Sequence, residues 1–332
     1  MIWSHHFREA EFALQAVRAA AGVCQAVRRD AGGTSLRKAD TSPVTVADFA
    51  SQALIAGQLA EAFPDDPLVA EEDSRTLESD PATLAQVVER LRTLRPEVDA
   101  GRVRAWIDRG GGQVGDRFWT LDPIDGTKGF LRGDQYVVGL ALIEGGAVVV
   151  AALAAPSLGV DLQPRPSTDG CIAIAVRGDG TWVVPLEGGG GRRIEVSECE
   201  SPSDARLLSS VESAHTDPEQ LARLTRRLGL RAEPIRMDSQ AKYLVIAGGQ
   251  ADLLVRFPPK DRPSYKENLW DVAAGLLVVE EAGGRATDLD GQALDLMAGR
   301  ELRRNRGILV SNGRLHEAAL GAVRAVLGES PA

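Results

Sequence analysis

The sequence predicts a fold in two parts, an α+β region followed by an α/β region. In the first 200 residues, helical patterns precede a run of apolar segments joined by glycine-rich turns, which favours helices packed on a largely antiparallel sheet. Beyond residue 200, strand-like and helix-like segments alternate, as in an α/β unit with a mixed sheet. A Ser-, Pro- and Asp-rich segment at 197–204 separates the two patterns, so we predict domains at 1–200 and 201–332.

The N-terminal part begins with helices. Apolar residues recur at helical spacing over 7–29, and a second helix is predicted over 45–63, where Thr45 and Asp48 have the spacing of a capping box. A third helix is predicted over 82–94. Short strands are predicted at 67–70, 105–107 and 118–121, the last one ending in a turn at 122–127.

The remaining elements follow from apolar runs and turn residues. The segments 136–144 and 147–155 flank two glycines, which is a strong hairpin signal. Further strands are predicted at 171–176, 182–186, 193–196, 206–210, 234–237, 252–256 and 307–310. Further helices are predicted at 217–228, 240–247, 269–281 and 315–327.

Composition limits the classes of function. A net charge of −9 argues against a general nucleic-acid or membrane-surface binder, but a small anionic ligand can still bind where cations cluster locally. Three scattered cysteines and four histidines exclude a disulfide framework, a thiolate zinc site and a His-based metal site. The chain shows no signal-peptide pattern and no membrane-spanning run, so a cytoplasmic location is expected.

The most constrained chemistry lies in the segment 118–133, FWTLDPIDGTKGFLRG. Pro123 stiffens the chain between Asp122 and Asp125, so the two carboxylates can converge. Carboxylates about 4 Å apart repel by ~1 to 4 kcal/mol, which a hard, oxygen-seeking metal ion would relieve. Gly126 and Thr127 then suit a phosphate held beside the metal. An ordinary Asp-Pro-x-Asp-Gly surface turn remains the alternative.

Three segments resemble the signatures of a known superfamily: LVAEEDS at 68–74, WTLDPIDGTKGFLRG at 119–133 and LWDVAAGLLVVEEAGG at 269–284. They are similar to those of the lithium-inhibited, magnesium-dependent phosphatases related to inositol monophosphatase and fructose-1,6-bisphosphatase. SPVTVAD at 42–48 and DSQAKYLVIAGGQADLLVR at 238–256 resemble the 3′(2′),5′-bisphosphate nucleotidase branch. The resemblance implies a layered αβαβα sandwich, with an antiparallel sheet in the N-terminal part and a mixed sheet in the C-terminal part.

The resemblance also implies a metal site and a water activator. The side chains of Glu71, Asp122, Asp125 and Asp271 and the carbonyl of Ile124 would hold two or three Mg²⁺ ions, with Li⁺ and Ca²⁺ inhibitory. Two further residues, Asp48 and Thr127, would orient and deprotonate the attacking water. Taken alone, Asp48 and Asp271 are better explained by simple helix-capping roles, and only their combination with segment 118–133 favours a metal site.

The substrate-binding residues implied by the resemblance are Gly126, Thr127, His215, Ser239, Lys242 and Arg256. His215 can instead cap a helix, and Lys242 and Arg256 can be ordinary solvated charges. Between Arg256 and Asp271, the segment KDRPSYKENLWD is slightly longer than expected, which can alter how a substrate phosphate is held.

The resulting prediction is a Mg²⁺-dependent phosphomonoesterase that converts 3′-phosphoadenosine 5′-phosphate to AMP and phosphate, with 3′-phosphoadenylyl sulfate as a further candidate substrate. Its only expected partner is a small phosphorylated nucleotide, with no nucleic acid or membrane, and the chain can be a monomer or a homodimer. Two alternatives stay open. One is a phosphatase for inositol phosphates or sugar bisphosphates, and the other is a nucleotide-binding sensor without activity.

Overall fold

The computed structural model describes residues 3–31, 35–37, 43–211 and 217–328 of the chain. Within these ranges the helices are α1 (Phe7–Ala31), α2 (Val46–Ala62), α3 (Arg75–Glu78), α4 (Pro81–Arg92), α5 (Ala100–Asp108), α6 (Thr127–Arg132), α7 (Pro218–Leu228), α8 (Ala241–Ala247), α9 (Ala273–Glu280) and α10 (His316–Gly328). The strands are β1 (Ser35–Arg37), β2 (Pro43–Thr45), β3 (Leu68–Ala70), β4 (Arg117–Asp125), β5 (Val137–Glu144), β6 (Ala147–Ala155), β7 (Cys171–Val176), β8 (Gly180–Pro185), β9 (Arg192–Ile194), β10 (Leu207–Ser209), β11 (Ile235–Arg236), β12 (Leu253–Arg256), β13 (Arg285–Thr287) and β14 (Ile308–Ser311).

Two sheets organise the molecule, besides a short β1–β2 ribbon. In the described part of the chain, the larger sheet runs β3-β4-β5-β6-β7-β8-β9; β3 and β4 are parallel and every other pair is antiparallel. The smaller sheet runs β11-β10-β12-β14-β13, with β10 parallel to both neighbours and β14 antiparallel to both of its own. The predicted antiparallel sheet followed by a mixed sheet is therefore confirmed.

The helices fill the layers on either side of these sheets. One apolar cluster joins α1, α2, α4 and α5 to the first face of the larger sheet. A second cluster, containing α8 and α9, lies between the two sheets, and a third joins α7 and α10 to the outer face of the smaller sheet. Strand β6 separates the first two clusters, because successive side chains of a strand point to opposite faces of the sheet. Val150 and Ala152 belong to the first cluster, whereas Ala151 and Leu153 belong to the second. The layered αβαβα sandwich is confirmed.

The division into two domains near residue 200 stays a prediction. The chain passes from the larger to the smaller sheet between Ile194 and Leu207. The cluster between the sheets takes residues from both sides of that point, for example Leu153 and Leu254.

No helix of the described residues is both long enough and apolar enough to cross a bilayer.

One predicted strand is wrong. Residues 105–107 belong to helix α5, although Trp106 and Ile107 are residue types that favour strands. The Asp99 side chain caps this helix by accepting a hydrogen bond from the Arg102 amide. Val103 and Ile107, four residues apart, are both buried against the first apolar cluster. Capping and tertiary burial thus override local strand propensity.

The strand predicted at 118–121 is longer than expected. Strand β4 continues to Asp125, and its pairing with β5 shifts register between Asp122 and Asp125. Pro123 lies within that shift, which is a place where a strand tolerates a residue without an amide hydrogen. The expected turn therefore begins at Gly126, and both aspartates belong to a strand. Elements β1, β2, α3, α6 and β13 were not predicted.

Candidate active site

Asp122 and Asp125, the two aspartates of segment 118–133, lie at the irregular end of strand β4. The Ile124 amide donates a hydrogen bond of 3.1 Å to Asp122 Oδ1, and the Ser51 hydroxyl donates one of 2.9 Å to the Pro123 carbonyl. Ser51 lies on α2, so the strand end is fixed from the helical layer below it. These two bonds fix the backbone at Pro123 and the direction of the Asp122 carboxyl.

Gly126 makes the transition from β4 to α6. Its φ of +89° lies in the left-handed region, and a Cβ at this position would approach the Cβ of Ser239 to 2.9 Å. Ser239 itself has a φ of +62°. The Thr127 hydroxyl donates a hydrogen bond of 3.2 Å to the Ile124 carbonyl. The backbone of β4 thus comes into close contact with the segment that precedes α8.

A cavity of about 370 Å³ opens above this strand end. The predicted site residues that line it are Glu71, Asp122, Ile124, Asp125, Gly126, Thr127, Ser239, Lys242, Arg256 and Asp271. They come from the ends of β3, β4 and β12, from α6 and α8, and from the turn before α9. Four separated sequence segments therefore meet at one place.

Two predicted residues are placed differently. Asp48 is buried in the first turn of α2 and is not part of the cavity wall, although its charge is close enough to raise the pKa of Asp122. The predicted pairing of Asp48 with Thr127 around a water molecule therefore stays a prediction. His215 lies outside the described residues.

Buried negative charge dominates one side of the cavity. Burial, reinforced by Glu71, Asp125 and Asp271, raises the pKa of Asp122 well above its usual range. Burial likewise raises the pKa of Asp125 and of Asp271 to about 6. Each of these carboxyls is harder to ionise because burial removes water and like charges lie close by. Such a group of acids is stabilised by a cation among them.

Two cations, Lys242 and Arg256, lie in the same cavity wall and act on Asp125. Burial lowers the pKa of Lys242 to about 8, an effect that the nearby Asp125 opposes, and the Lys242 ammonium donates to the Met237 carbonyl at 3.2 Å. Arg256 Nη2 is paired with Glu267 Oε2 at 2.8 Å. Arg256 Nε and the Tyr243 hydroxyl are buried with no hydrogen-bond partner among the described residues. The cavity wall therefore has unused donors that a polar ligand can satisfy.

A family model describes the same chain. The model of the inositol monophosphatase family matches residues 3–327, which is nearly the whole sequence. The chain belongs to the inositol monophosphatase family.

Relatives within this family are similar over almost their full length. A 3′(2′),5′-bisphosphate nucleotidase of Schizosaccharomyces pombe is 37% identical over 344 residues, which cover 97% of both chains. A protein of the same name from Oryza sativa is 39% identical over 340 residues, covering 96% of this chain and 94% of the relative.

Solved structures of the inositol monophosphatase family share the fold. An IMPase of Thermotoga maritima superposes with a TM-score of 0.65 at 22% identity, covering 96% of this chain and 98% of the other. CysQ from Bacteroides thetaiotaomicron, described as a bacterial member of the family, gives a TM-score of 0.62 at 22% identity, covering 93% and 98%. At these identities the likeness concerns the fold alone.

Inositol monophosphatase family members are generally Mg²⁺-dependent. The donor set fits such an ion, because the acids of the cavity and the Ile124 carbonyl offer only hard oxygen atoms. Among the described residues, no three His, Cys, Asp or Glu side chains already surround a common point.

Several residues in the cavity escaped sequence analysis. Gln240 contacts both halves of the acid group: its amide donates to Asp125 Oδ2 at 2.5 Å, and its side chain bonds the Trp270 carbonyl at 3.0 Å and the Gly275 amide at 3.1 Å. Its position next to Ser239 was the only available signal.

The longer segment between Arg256 and Asp271 supplies two more wall residues. Arg262 and Tyr265 line the cavity, and the Arg262 guanidinium lies 5.1 Å from the centre of the Tyr265 ring. The unusual length of this segment was the sequence signal for its role.

Proposed function

We propose that this protein is a Mg²⁺-dependent 3′(2′),5′-bisphosphate nucleotidase that hydrolyses 3′-phosphoadenosine 5′-phosphate to AMP and phosphate. The observation that carries the proposal is one cavity whose wall brings the carboxyls of Asp122, Asp125 and Asp271 together with two cations, Lys242 and Arg256. The names of the full-length relatives support the same activity. We extend the proposal to 3′-phosphoadenylyl sulfate as a second substrate.

The acids would hold the metal. Glu71, Asp122, Asp125, Asp271 and the carbonyl of Ile124 supply the oxygen ligands. When bound, Mg²⁺ supplies activation of water and stabilisation of the negative charge that develops on the phosphate and leaving oxygens. We assign two or three ions to turnover, and we expect Li⁺ and Ca²⁺ to inhibit.

The chain's own residues would position the substrate. The backbone amides of Gly126 and Thr127 would donate hydrogen bonds to a phosphate held in the cavity. Lys242, Arg256 and Ser239, together with His215, would contact the nucleotide or its second phosphate. The Thr127 hydroxyl, already oriented by the Ile124 carbonyl, would align the attacking water, with Asp48 receiving its proton.

A cytoplasmic location is also part of the proposal. The three cysteines are free, and burial raises the pKa of the Cys24 and Cys171 thiols, so both stay protonated and unreactive. The expected partner is a small phosphorylated nucleotide. Monomer and homodimer are both compatible with the proposal.

A substrate panel tests the function. Phosphate release would be measured from 3′-phosphoadenosine 5′-phosphate, inositol 1-phosphate, inositol 1,4-bisphosphate and fructose 1,6-bisphosphate, each with Mg²⁺ and with or without Li⁺. The proposal requires the nucleotide to have the highest kcat/KM. Preference for an inositol phosphate or the sugar bisphosphate would replace the assigned substrate. Tight nucleotide binding without any phosphate release would indicate a sensor instead.

A further inference from the structure

A second cavity lies at the other end of α6. Its volume is about 690 Å³, and it opens where the last turn of α1 meets the segment that follows β6. Gly133, the residue that ends α6, lines this cavity, whereas Thr127 at the start of the same helix lines the catalytic one. The two cavities are therefore separate but share one short helix as a wall.

The second cavity is positively charged. Arg28 and Arg29 of α1 and Arg165 of the segment after β6 line it, and no acidic residue does so in the part of the chain that the structure describes. Arg165 is paired with the exposed Asp161 at 2.7 Å. Arg28 donates only a long hydrogen bond, 3.4 Å, to the Ser157 hydroxyl, and Arg29 has no ion pair among the described residues. In a chain of net charge −9, this is a local concentration of positive charge.

Stabilisation of helix α1 explains only some of the basic residues that line the second cavity. Basic side chains in the last turn of α1 interact favourably with the helix dipole, which accounts for Arg28 and Arg29. It does not account for Arg165, which comes from another segment, nor for the hydroxyls of Ser157 and Ser167 in the same wall. Their convergence on one cavity is what a bound anion would require.

An unsatisfied donor lies in the same wall. Tyr136 is fully buried, and its hydroxyl has no hydrogen-bond partner among the described residues. The Arg28 guanidinium lies 5.9 Å from the centre of its ring and covers it. Burial raises the pKa of Tyr136, so the hydroxyl keeps its proton and can only act as a neutral donor or acceptor. Tyr136 belongs to the cavity lining, so this hydroxyl is a hydrogen-bonding group that a bound ligand can satisfy.

We propose that this second cavity binds the phosphate or sulfate group of a small molecule. Guanidinium groups match the geometry of tetrahedral oxyanions, and hydroxyl donors complete their hydrogen bonding. The volume falls within the range of small-molecule sites, about 300 to 1,000 Å³, so it accommodates a carrier larger than the anion alone.

Binding would be measured by calorimetry with inorganic phosphate, sulfate and adenosine 5′-phosphate, in EDTA, and located by hydrogen-exchange mass spectrometry. The variants are Arg28→Gln, Tyr136→Phe and the matched control Arg104→Gln, an exposed arginine of α5 that lines neither cavity. Circular dichroism checks that each variant folds.

We expect ligand-dependent protection at the end of α1 and in residues 156–168, distinct from any protection at β4 and α6. Arg28→Gln should weaken this binding by about tenfold or more and Tyr136→Phe by about three- to tenfold, because each removes a donor to an anion. Arg104→Gln should stay within about twofold, as expected for a distant screened charge. Tighter binding of adenosine 5′-phosphate than of inorganic phosphate would identify a nucleoside carrier, and equal affinities would identify the free oxyanion. Protection confined to the catalytic cavity, or equal effects of Arg28→Gln and Arg104→Gln, would overturn the proposal.

Discussion

The backbone amide of Gln240 donates a hydrogen bond of 2.5 Å to Asp125 Oδ2. The side chain of the same residue bonds the Trp270 carbonyl and the Gly275 amide, which flank Asp271 and the start of α9. One buried glutamine therefore connects the acid at the end of β4 with the acid before α9. Since both acids would have to face the same metal ions, Gln240 controls their relative position.

Replacement of Gln240 by alanine should weaken metal use as well as stability. Losing two buried side-chain hydrogen bonds costs ~1 to 3 kcal/mol of unfolding free energy. Displacement of Asp271 relative to Asp125 should lower kcat/KM by about ten- to hundredfold and raise the Mg²⁺ concentration for half-maximal activity. Steady-state kinetics across a Mg²⁺ titration, with urea unfolding, measures both effects.

Gln15→Ala, on the exposed side of α1, is the matched control and should change neither quantity. If Gln240→Ala lowers stability but leaves the Mg²⁺ dependence unchanged, the residue is only structural.

Gly126→Ala should lower kcat/KM by more than backbone strain alone would cause. A left-handed φ costs a non-glycine residue ~1 to 2 kcal/mol, and at Gly126 the added Cβ also meets Ser239 at 2.9 Å. Gly145 has a φ of +55° with no heavy atom near its Cβ position, so Gly145→Ala reports the strain alone. We expect Gly145→Ala to retain its kcat/KM and Gly126→Ala to lose most of it. Equal stability and equal activity in the two variants would contradict the close approach of β4 and the segment before α8.

Variants of the Arg256–Glu267 pair can distinguish a role of Arg256 in stability from a role in substrate binding. Arg256→Gln leaves Glu267 buried without its partner, which should cost ~3 to 5 kcal/mol of unfolding free energy. The double variant Arg256→Gln with Glu267→Gln removes the unpaired charge and should regain most of that stability. If Arg256 contacts the substrate, kcat/KM for the bisphosphate nucleotide stays low in the double variant. Recovery of activity along with stability would show that Arg256 acts only through folding.

His316 should make stability depend on pH. It is fully buried between the hydroxyls of Thr287 and Ser311, at 3.0 and 2.9 Å, and burial lowers its pKa from 6.5 to about 4. Between these values the unfolded chain binds a proton that the folded protein does not. Stability is therefore fully present above pH 6.5 and decreases as the pH falls toward 4, by at most about 3 kcal/mol.

Urea unfolding of wild type and His316→Gln from pH 4 to 7.5 checks this linkage. The difference in unfolding free energy between the two should grow with pH up to about 6.5 and then level off. A constant difference would mean that His316 titrates alike in both states.

Sequence patterns predicted those elements whose conformation depends mainly on neighbouring residues in the chain. The β5–β6 hairpin is an example, because its two glycines adopt the positive φ values that such a turn needs. Helix α5 was missed because its identity depends on the Asp99 cap and on burial of Val103 and Ile107 against distant helices. The strand propensity of individual residues does not reveal such capping or burial by distant parts of the chain.

Site residues could be predicted where the side chain itself indicates the function, as a carboxylate indicates metal binding. Asp122 and Asp125 could be found because two acids around a proline demand a cation. Gln240 could not, since its role depends on a backbone amide and on contacts with α9 some thirty residues away. The second cavity was equally hidden, because Arg28 and Arg165 are far apart in the sequence and only the packing of α1 on β6 brings them together.

Product identification with the wild type and Asp125→Asn tests the central claim most directly. Purified protein, 3′-phosphoadenosine 5′-phosphate and Mg²⁺ would be incubated and the products separated by chromatography, with an EDTA control. We predict AMP and one equivalent of phosphate from the wild type, no turnover in EDTA, and at least a hundredfold lower rate for a folded Asp125→Asn, as expected when electrostatic stabilisation is lost. Adenosine 3′-phosphate as the product, activity in EDTA, or near-normal turnover by Asp125→Asn would contradict the account.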